Sequence, residues 1–158
     1  MLREVGRGLA AGAAGTLALE ATTFLDMLVR GRPPSELPAR AAGKLADGAG
    51  VDLGPEDTGV AANRRNALGS LLGHLTGLSV GAAYGIVRGR RSATTAWPLT
   101  GLMIGLAAMA AGGVPATLSG LTDPRKWGVS GWLEDLVPHV GYGLAAALAY
   151  EALTDQRR

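Results

Sequence analysis

Long stretches of apolar and small residues alternate with short clusters of charge along this chain. Four stretches of helix-spanning length hold few ionisable residues, and arginines gather near their ends; they cover residues 8–29, 67–87, 96–114 and 132–153. A bilayer core of about 30 Å needs roughly 20 residues at helical rise. The pattern therefore predicts an all-α integral membrane protein, an antiparallel four-helix bundle that forms a single transmembrane domain over residues 1–158.

The long connection between the first two stretches is predicted to carry a short helix of its own, over about residues 35–48. Leu37, Ala41 and Leu45 fall on one face of it, and Gly48 offers an exit. An apolar face on a short helix beside a membrane span is typical of a segment that lies in the interface. We therefore expect an amphipathic helix at the membrane surface between the first and second spans.

Glycine recurs at every fourth position of the second stretch, which is its most regular feature. The five positions are Gly69, Gly73, Gly77, Gly81 and Gly85. In lipid, helices associate through close packing, and small residues four apart let two backbones approach. We predict that this helix packs tightly near the centre of the bundle. The same glycine faces would suit packing between copies in a homo-oligomer. The sequence does not show which glycines pack within one chain and which would pack between chains.

Composition supports a membrane setting. Charged residues make up 18% of the chain and hydrophobic residues 47%, with 25 glycines in addition, whereas soluble domains carry about 25% charge. A soluble Ala/Gly-rich bundle is the competing interpretation, because the first and last stretches contain carboxylates. Trp97, Trp127 and Trp132, at or just outside helix starts, favour the membrane. The net charge of +2, without a basic stripe, gives no argument for nucleic acid.

Arginine density predicts the orientation. With four spans, both termini share a side with the short turn 88–95, and arginines are denser there than on the opposite side. Positive charge is enriched in short cytoplasmic segments. We therefore expect a multi-pass protein of a bacterial cytoplasmic (inner) membrane with both termini in the cytoplasm and the lipid bilayer as its first partner.

Ionisable side chains within the predicted spans are the candidates for chemistry, because a charge at mid-membrane costs about 2.5–3.5 kcal/mol. Helical rise places Glu20, His74 and His139 about 10–13 Å below the same outer surface, so we expect the three to meet. Asp135, four residues before His139, shares its helix face and could hold the imidazole tautomer.

A separate pair lies at the outer end of the first span. Asp26 is four residues before Arg30, the spacing at which helical side chains of opposite charge meet. We predict that the two form an interfacial ion pair.

Three functions stay open for the Glu20, His74, His139 and Asp135 cluster. It can be structural or bind a small ligand, it can be part of a proton-coupled transporter or channel that works as an oligomer, or His74 and His139 can hold a metal ion or a haem. No cofactor is required by the sequence. The sequence contains no serine elbow, phosphate-binding loop or HExxH motif, which favours a non-enzymatic protein.

Four short motifs are spread over nearly the whole chain. They are Glu20 followed by Arg32-Pro33-Pro34, Gly73-His74 with Tyr84 downstream, Gly120-Leu121-Thr122 with Pro124, and the series Trp132, Asp135 and His139. Together they distantly resemble the YagU-like family of small bacterial inner-membrane proteins, a domain of unknown function. The resemblance implies a four-helix inner-membrane protein and points to the acid and histidine positions. It implies no established activity.

Overall fold

The computed structural model describes residues 1–90 and 96–155 of the chain. Within them it has five α-helices and no strand: α1 (Leu2–Arg30), α2 (Leu37–Gly48), α3 (Val60–Arg90), α4 (Trp97–Leu118) and α5 (Gly128–Asp155), with a 3-10 turn at Pro124–Lys126. The predicted all-α class is confirmed. Part of the basis for the predicted orientation, Arg91, Arg157 and Arg158, lies outside the described residues.

Three helices of the described chain are long and apolar enough to cross a membrane. They are α1, α3 over Val60–Gly89, and α4. α5 has 28 residues, but Pro138, His139 and Glu151 interrupt its apolar stretch and it does not reach the same hydropathy. The structure thus supports a membrane protein with three candidate spans, where the sequence predicted four.

α1 is the helix that α3 and α5 share. It lies against both of them, while α4 lies mainly against α5 and α2 lies against α3. α3 and α5 run parallel, because the Tyr142 hydroxyl donates to the Gly77 carbonyl and the Tyr150 hydroxyl, two helical turns further on, approaches the Gly85 carbonyl.

Glycines bring the backbones of α1 and α3 into direct contact. Gly8 of α1 faces Gly81 of α3, and Gly12 faces Gly77, so the two helices run antiparallel. A Cβ at Gly12 would lie 2.7 Å from the Gly77 carbonyl oxygen, and a Cβ at Gly81 would lie 2.5 Å from the Gly12 Cα. Any side chain at these positions would push the helices apart. Gly85, a turn beyond Gly81, lies against the Glu4 backbone in the same way.

The first two glycines of the α3 series have different surroundings. Gly69 packs against the start of α2, where an added Cβ would lie 2.6 Å from the Pro38 carbonyl carbon. Gly73 has no atom within 4 Å of an added Cβ. An α-helix has 3.6 residues per turn, so each glycine four residues further along is rotated slightly around the helix axis. Towards the N-terminus of α3, the glycines therefore turn away from α1.

Small residues and tyrosines make up most of the buried core. The core cluster contains Ala11, Ile104, Ala108, Tyr142, Ala146, Ala147 and Tyr150. Tyr142 is only 1% exposed, and its ring lies over Gly15. Alanine and glycine predominate where these helices meet, and Ile104 is a larger aliphatic member of the cluster.

The large apolar side chains point outward instead. Leu17, Leu28, Leu71, Leu75 and Met103 are each more than half exposed. A soluble domain buries such residues, whereas lipid tails are as apolar as leucine and do not drive them inward. The outside of the helices is therefore suited to hydrocarbon.

The two longer connections lie at one end of the molecule. The Lys44 ammonium of α2 donates to the Ser119 carbonyl at the end of α4, at 2.5 Å. Beside α2, the two terminal guanidinium nitrogens of Arg65, Nη1 and Nη2, donate to the Glu56 carboxylate, and these hydrogen bonds hold the pKa of the Glu56 carboxyl below its usual value.

We predict that alanine at Gly81 lowers thermal stability and that alanine at Gly73 does not. Both substitutions gain helix propensity equally. At Gly81 the added methyl meets the α1 backbone, which cannot yield locally, and overpacking of this kind costs about 1–3 kcal/mol. Thermal unfolding of purified Gly81→Ala and Gly73→Ala in detergent compares them. Equal melting temperatures would show that α1 and α3 do not pack through these glycines.

Candidate functional site

A carboxylate and an imidazole meet between α1 and α3. The Glu20 Oε1 lies 3.1 Å from the His74 Nε2. Glu20 is 34% exposed and His74 50% exposed. The contact follows from the glycine packing, because Gly77 also faces Thr16, and about one helical turn further on this register brings Glu20 to the level of His74.

The hydrogen bond of the other ring nitrogen of His74, Nδ1, shows which nitrogen of the ring carries hydrogen. Its Nδ1 is 2.8 Å from the Ser70 carbonyl oxygen, one turn earlier in α3. A carbonyl oxygen only accepts, so Nδ1 carries hydrogen and donates. A neutral imidazole then has only a lone pair at Nε2. The contact with Glu20 therefore needs one further proton, either on Nε2 or on the carboxyl group.

The second histidine pairs within its own helix. The Nδ1 of His139 donates to the Asp135 carbonyl oxygen at 2.7 Å and lies 3.3 Å from the carboxylate oxygen of the same residue. The main chain of His139 packs against Gly105 of α4. The contacts therefore group the four predicted residues as two pairs, Glu20 with His74 and Asp135 with His139.

Height along the helices is consistent with the sequence analysis, although the grouping differs. Thr22 of α1 contacts Gly141 of α5, so His139 lies near the level of Glu20. Depth calculated from helical rise says nothing about the direction in which a side chain points. The His139 ring contacts Asp135 on its own helix, whereas Glu20 contacts His74 of α3, so each acid has its own histidine.

The Asp26 and Arg30 side chains meet, with Asp26 Oδ1 2.9 Å from Arg30 Nε. They belong to a larger network that the sequence analysis did not include. Arg32 also binds Asp26, and Arg30 reaches Glu134 at the start of α5. This network joins the end of α1 to the start of α5.

A second polar network at the other end of the helices was missed altogether. Glu4 of α1 accepts hydrogen bonds from Arg7, at 2.8 Å, and from Tyr150 of α5. Arg88 of α3 binds Glu151 at 3.2 Å. The signal in the sequence was the spacing of Tyr142 and Tyr150, which puts both hydroxyls on one face of α5, towards the glycines of α3.

Metal ligation has no ready-made site in the described chain. Over residues 1–90 and 96–155, no three histidine, aspartate or glutamate side chains are grouped as metal ligands would be. His74 and His139 each already bind a main-chain carbonyl on their own helix. These contacts leave Nε2 of each ring as the ligating nitrogen, and a metal ion or haem at His74 would have to displace Glu20 from that nitrogen.

No family model, curated protein or solved structure matches this chain. Its function therefore has to be inferred from its own residues, and the half-exposed Glu20–His74 pair is the site with the clearest chemistry.

A double-mutant cycle tests the pairing. We expect Glu20→Gln and His74→Asn to be less destabilising together than the sum of their separate effects, with a coupling of about 0.5 kcal/mol or more. Thermal or denaturant unfolding in detergent measures it. The matched control is Glu20→Gln with His139→Asn, for which we expect additivity because the residues belong to different pairs. Coupling with His139 and none with His74 would contradict the structure.

Proposed function

We propose that this chain is a non-enzymatic integral membrane protein with four spans, forming an antiparallel bundle in a bacterial cytoplasmic membrane, and that its Glu20–His74 pair binds one exchangeable proton. A four-helix inner-membrane protein is also what the resemblance to the YagU-like family implies. The proposal has two parts, the fourth span and the proton site, and each has its own support.

The fourth span is supported by the contacts of α5 with α1 at both ends. Arg30 binds Glu134 at one end, and Glu4 binds Tyr150 at the other. A helix that lies beside a spanning helix from end to end crosses the same layer. In α5, Asp135 and Glu151 are 16 residues apart, about 24 Å at helical rise.

The charged networks at the two ends of α1 are separated by about the thickness of a membrane. On α1, 19 residues separate Arg7 from Asp26, about 28 Å at helical rise, close to the hydrocarbon thickness of about 30 Å. Glu20 lies between these limits, nearer Asp26. A polar pair at that depth is costly unless it is neutral overall.

The observation that carries the proton site is the 3.1 Å contact between Glu20 Oε1 and His74 Nε2 while Nδ1 donates to Ser70. With one proton between them the pair has no net charge. Without it, a carboxylate would face a nitrogen lone pair.

Infrared difference spectroscopy across a pH step tests proton binding directly. We expect wild-type protein to show a carboxyl protonation signal that disappears in Glu20→Gln and shifts its pH midpoint in His74→Asn. Asp135→Asn, which leaves the Glu20–His74 pair intact, should keep the signal. The melting temperature of Glu20→Gln should stay within a few degrees of wild type. An unchanged signal in Glu20→Gln would remove the proton site, and loss of stability alone would assign the pair a structural role.

The second candidate function is a proton-coupled transporter or channel component that works as an oligomer. It is favoured by the open side of α3, where Gly73 has nothing within 4 Å of an added Cβ and the neighbouring His74 is half exposed. A second copy could cover this edge, and four helices are few for a transporter on their own. Proteoliposomes with an internal pH-sensitive dye should then show proton flux that Glu20→Gln abolishes. A strictly monomeric protein in lipid would count against this function.

Metal or haem binding through His74 and His139 is the third candidate. It requires the Nε2 of His74 to exchange Glu20 for the metal ion and the Nε2 of His139 to reach the same ion. A purified protein that is colourless and contains no stoichiometric metal would remove it.

A further inference from the structure

Two basic residues lie one turn apart on α2, the short helix beside the N-terminal half of α3. Arg40 and Lys44 are both exposed, and they are the only charged residues in the stretch 37–46. Side chains four residues apart on a helix have Cβ atoms about 6 Å from each other. One phosphate group can therefore contact both cations.

No carboxylate of the described chain neutralises this pair of cations. The acids nearest along α2 are Glu36 and Asp47. Over residues 1–90 and 96–155, the ion pairs include neither Arg40 nor Lys44. Asp47 instead interacts electrostatically with Arg65 of α3. The charge of Arg40 and Lys44 is thus available to an anion from outside the chain.

The end of α4 adjoins α2 and adds positive charge. The Lys44 ammonium donates to the Ser119 carbonyl, a neutral acceptor, which joins the two helices. The turn after Ser119 carries Arg125 and Lys126 but only one acid, Asp123. Both segments are therefore net positive, and an anionic partner complements them.

The two cations lie at the level where the apolar part of α3 ends. Gly43, between Arg40 and Lys44 in the sequence, packs against Arg65, whose Cδ would lie 2.8 Å from an added Cβ. Between Arg65 and Arg88, α3 contains no aspartate, glutamate, lysine or arginine. Lipid headgroups border the hydrocarbon core of a bilayer, so cations at this level meet phosphate groups.

Exposed apolar side chains lead away from this site along α4. Leu118, the neighbour of Ser119, is 84% exposed, and Val114 is 52% exposed. The two are four residues apart and share one helix face. This face offers a surface for an acyl chain whose headgroup is held at α2.

We propose that Arg40 and Lys44 bind an anionic phospholipid. The phosphate lies between their side chains, and an acyl chain lies along Leu118 and Val114. This site rests on the membrane location proposed above, and it is independent of the Glu20–His74 proton site.

A single labelled cysteine reports which lipid lies beside Leu118, because the chain has no cysteine of its own. Leu118→Cys with a bimane label is placed in phosphatidylcholine nanodiscs that contain brominated phosphatidylglycerol or brominated phosphatidylcholine at the same low fraction. We expect the anionic lipid to associate about tenfold or more in preference, because each lysine or arginine near an anionic lipid surface contributes about fivefold. Equal quenching by the two lipids would overturn the proposal.

A label at Leu17 separates this proposal from the membrane location itself. Leu17 is 68% exposed on α1, and a bimane on Leu17→Cys should be quenched by both lipids equally. Quenching at position 17 without a preference at position 118 would overturn the lipid site alone. No quenching at either position would contradict the membrane location as well.

Two exposed arginines at opposite ends of the molecule provide matched variants. Arg3 and Arg40 are both outside the ion pairs of the described residues. In the Leu118→Cys background, Arg40→Gln should lower the preference about fivefold, whereas Arg3→Gln and Arg40→Lys should leave it unchanged. Arg40→Gln with Lys44→Gln should remove it. A preference that persists in this double variant would place the lipid elsewhere and contradict the proposal.

Discussion

The contact between the glycine faces of α1 and α3 is the constraint on which the other contacts depend. In lipid no hydrophobic force draws helices together, so surfaces must fit closely enough for dispersion and hydrogen bonds to hold them. Gly8 and Gly12 meet Gly77 and Gly81 with no side chain between the backbones. The register of this contact determines which side chains of α1 and α3 can touch further along.

The same absence of side chains exposes main-chain oxygens of α3 to α5. Tyr142 donates to the Gly77 carbonyl at 2.5 Å, and Tyr150 lies 3.5 Å from the Gly85 carbonyl. A larger residue in place of either glycine would cover its oxygen. The tyrosines thus anchor α5 to the α1–α3 pair, and α4 then packs on α5 through Gly101 and Gly105.

Sequence periodicity and helical rise give the height of a side chain along its helix but not the direction in which it points. They placed Glu20 and His74 at one level, and the structure brings the two side chains together. They placed His139 at that level too, but its ring pairs with Asp135 on its own helix. The angular position of a side chain depends on how neighbouring helices are rotated, which hydrophobicity does not reveal when glycine and alanine occupy most of the faces.

Hydrogen bonds to main-chain carbonyls of another helix are the other feature that cannot be predicted from the sequence. A tyrosine that binds a carbonyl of another helix has no partner residue to recognise, because any residue type carries that carbonyl. The networks at the ends of α1 were missed for a related reason. Arg30 was assigned Asp26 by its spacing along one helix, but Glu134 on α5 is a partner that only the packing of α5 on α1 provides.

Cysteine cross-linking in native membranes tests the central claim, that glycine packing of α1 on α3 brings positions 20 and 74 together. The chain has no cysteine of its own, so Glu20→Cys with His74→Cys gives a clean pair. A short thiol-specific cross-linker should join the two within one chain, and His74→Cys alone distinguishes links between copies. Adding Gly81→Leu should lower the yield, whereas adding Gly73→Leu should not. A pair that fails to link within one chain, or links equally well with Gly81→Leu, would contradict the account.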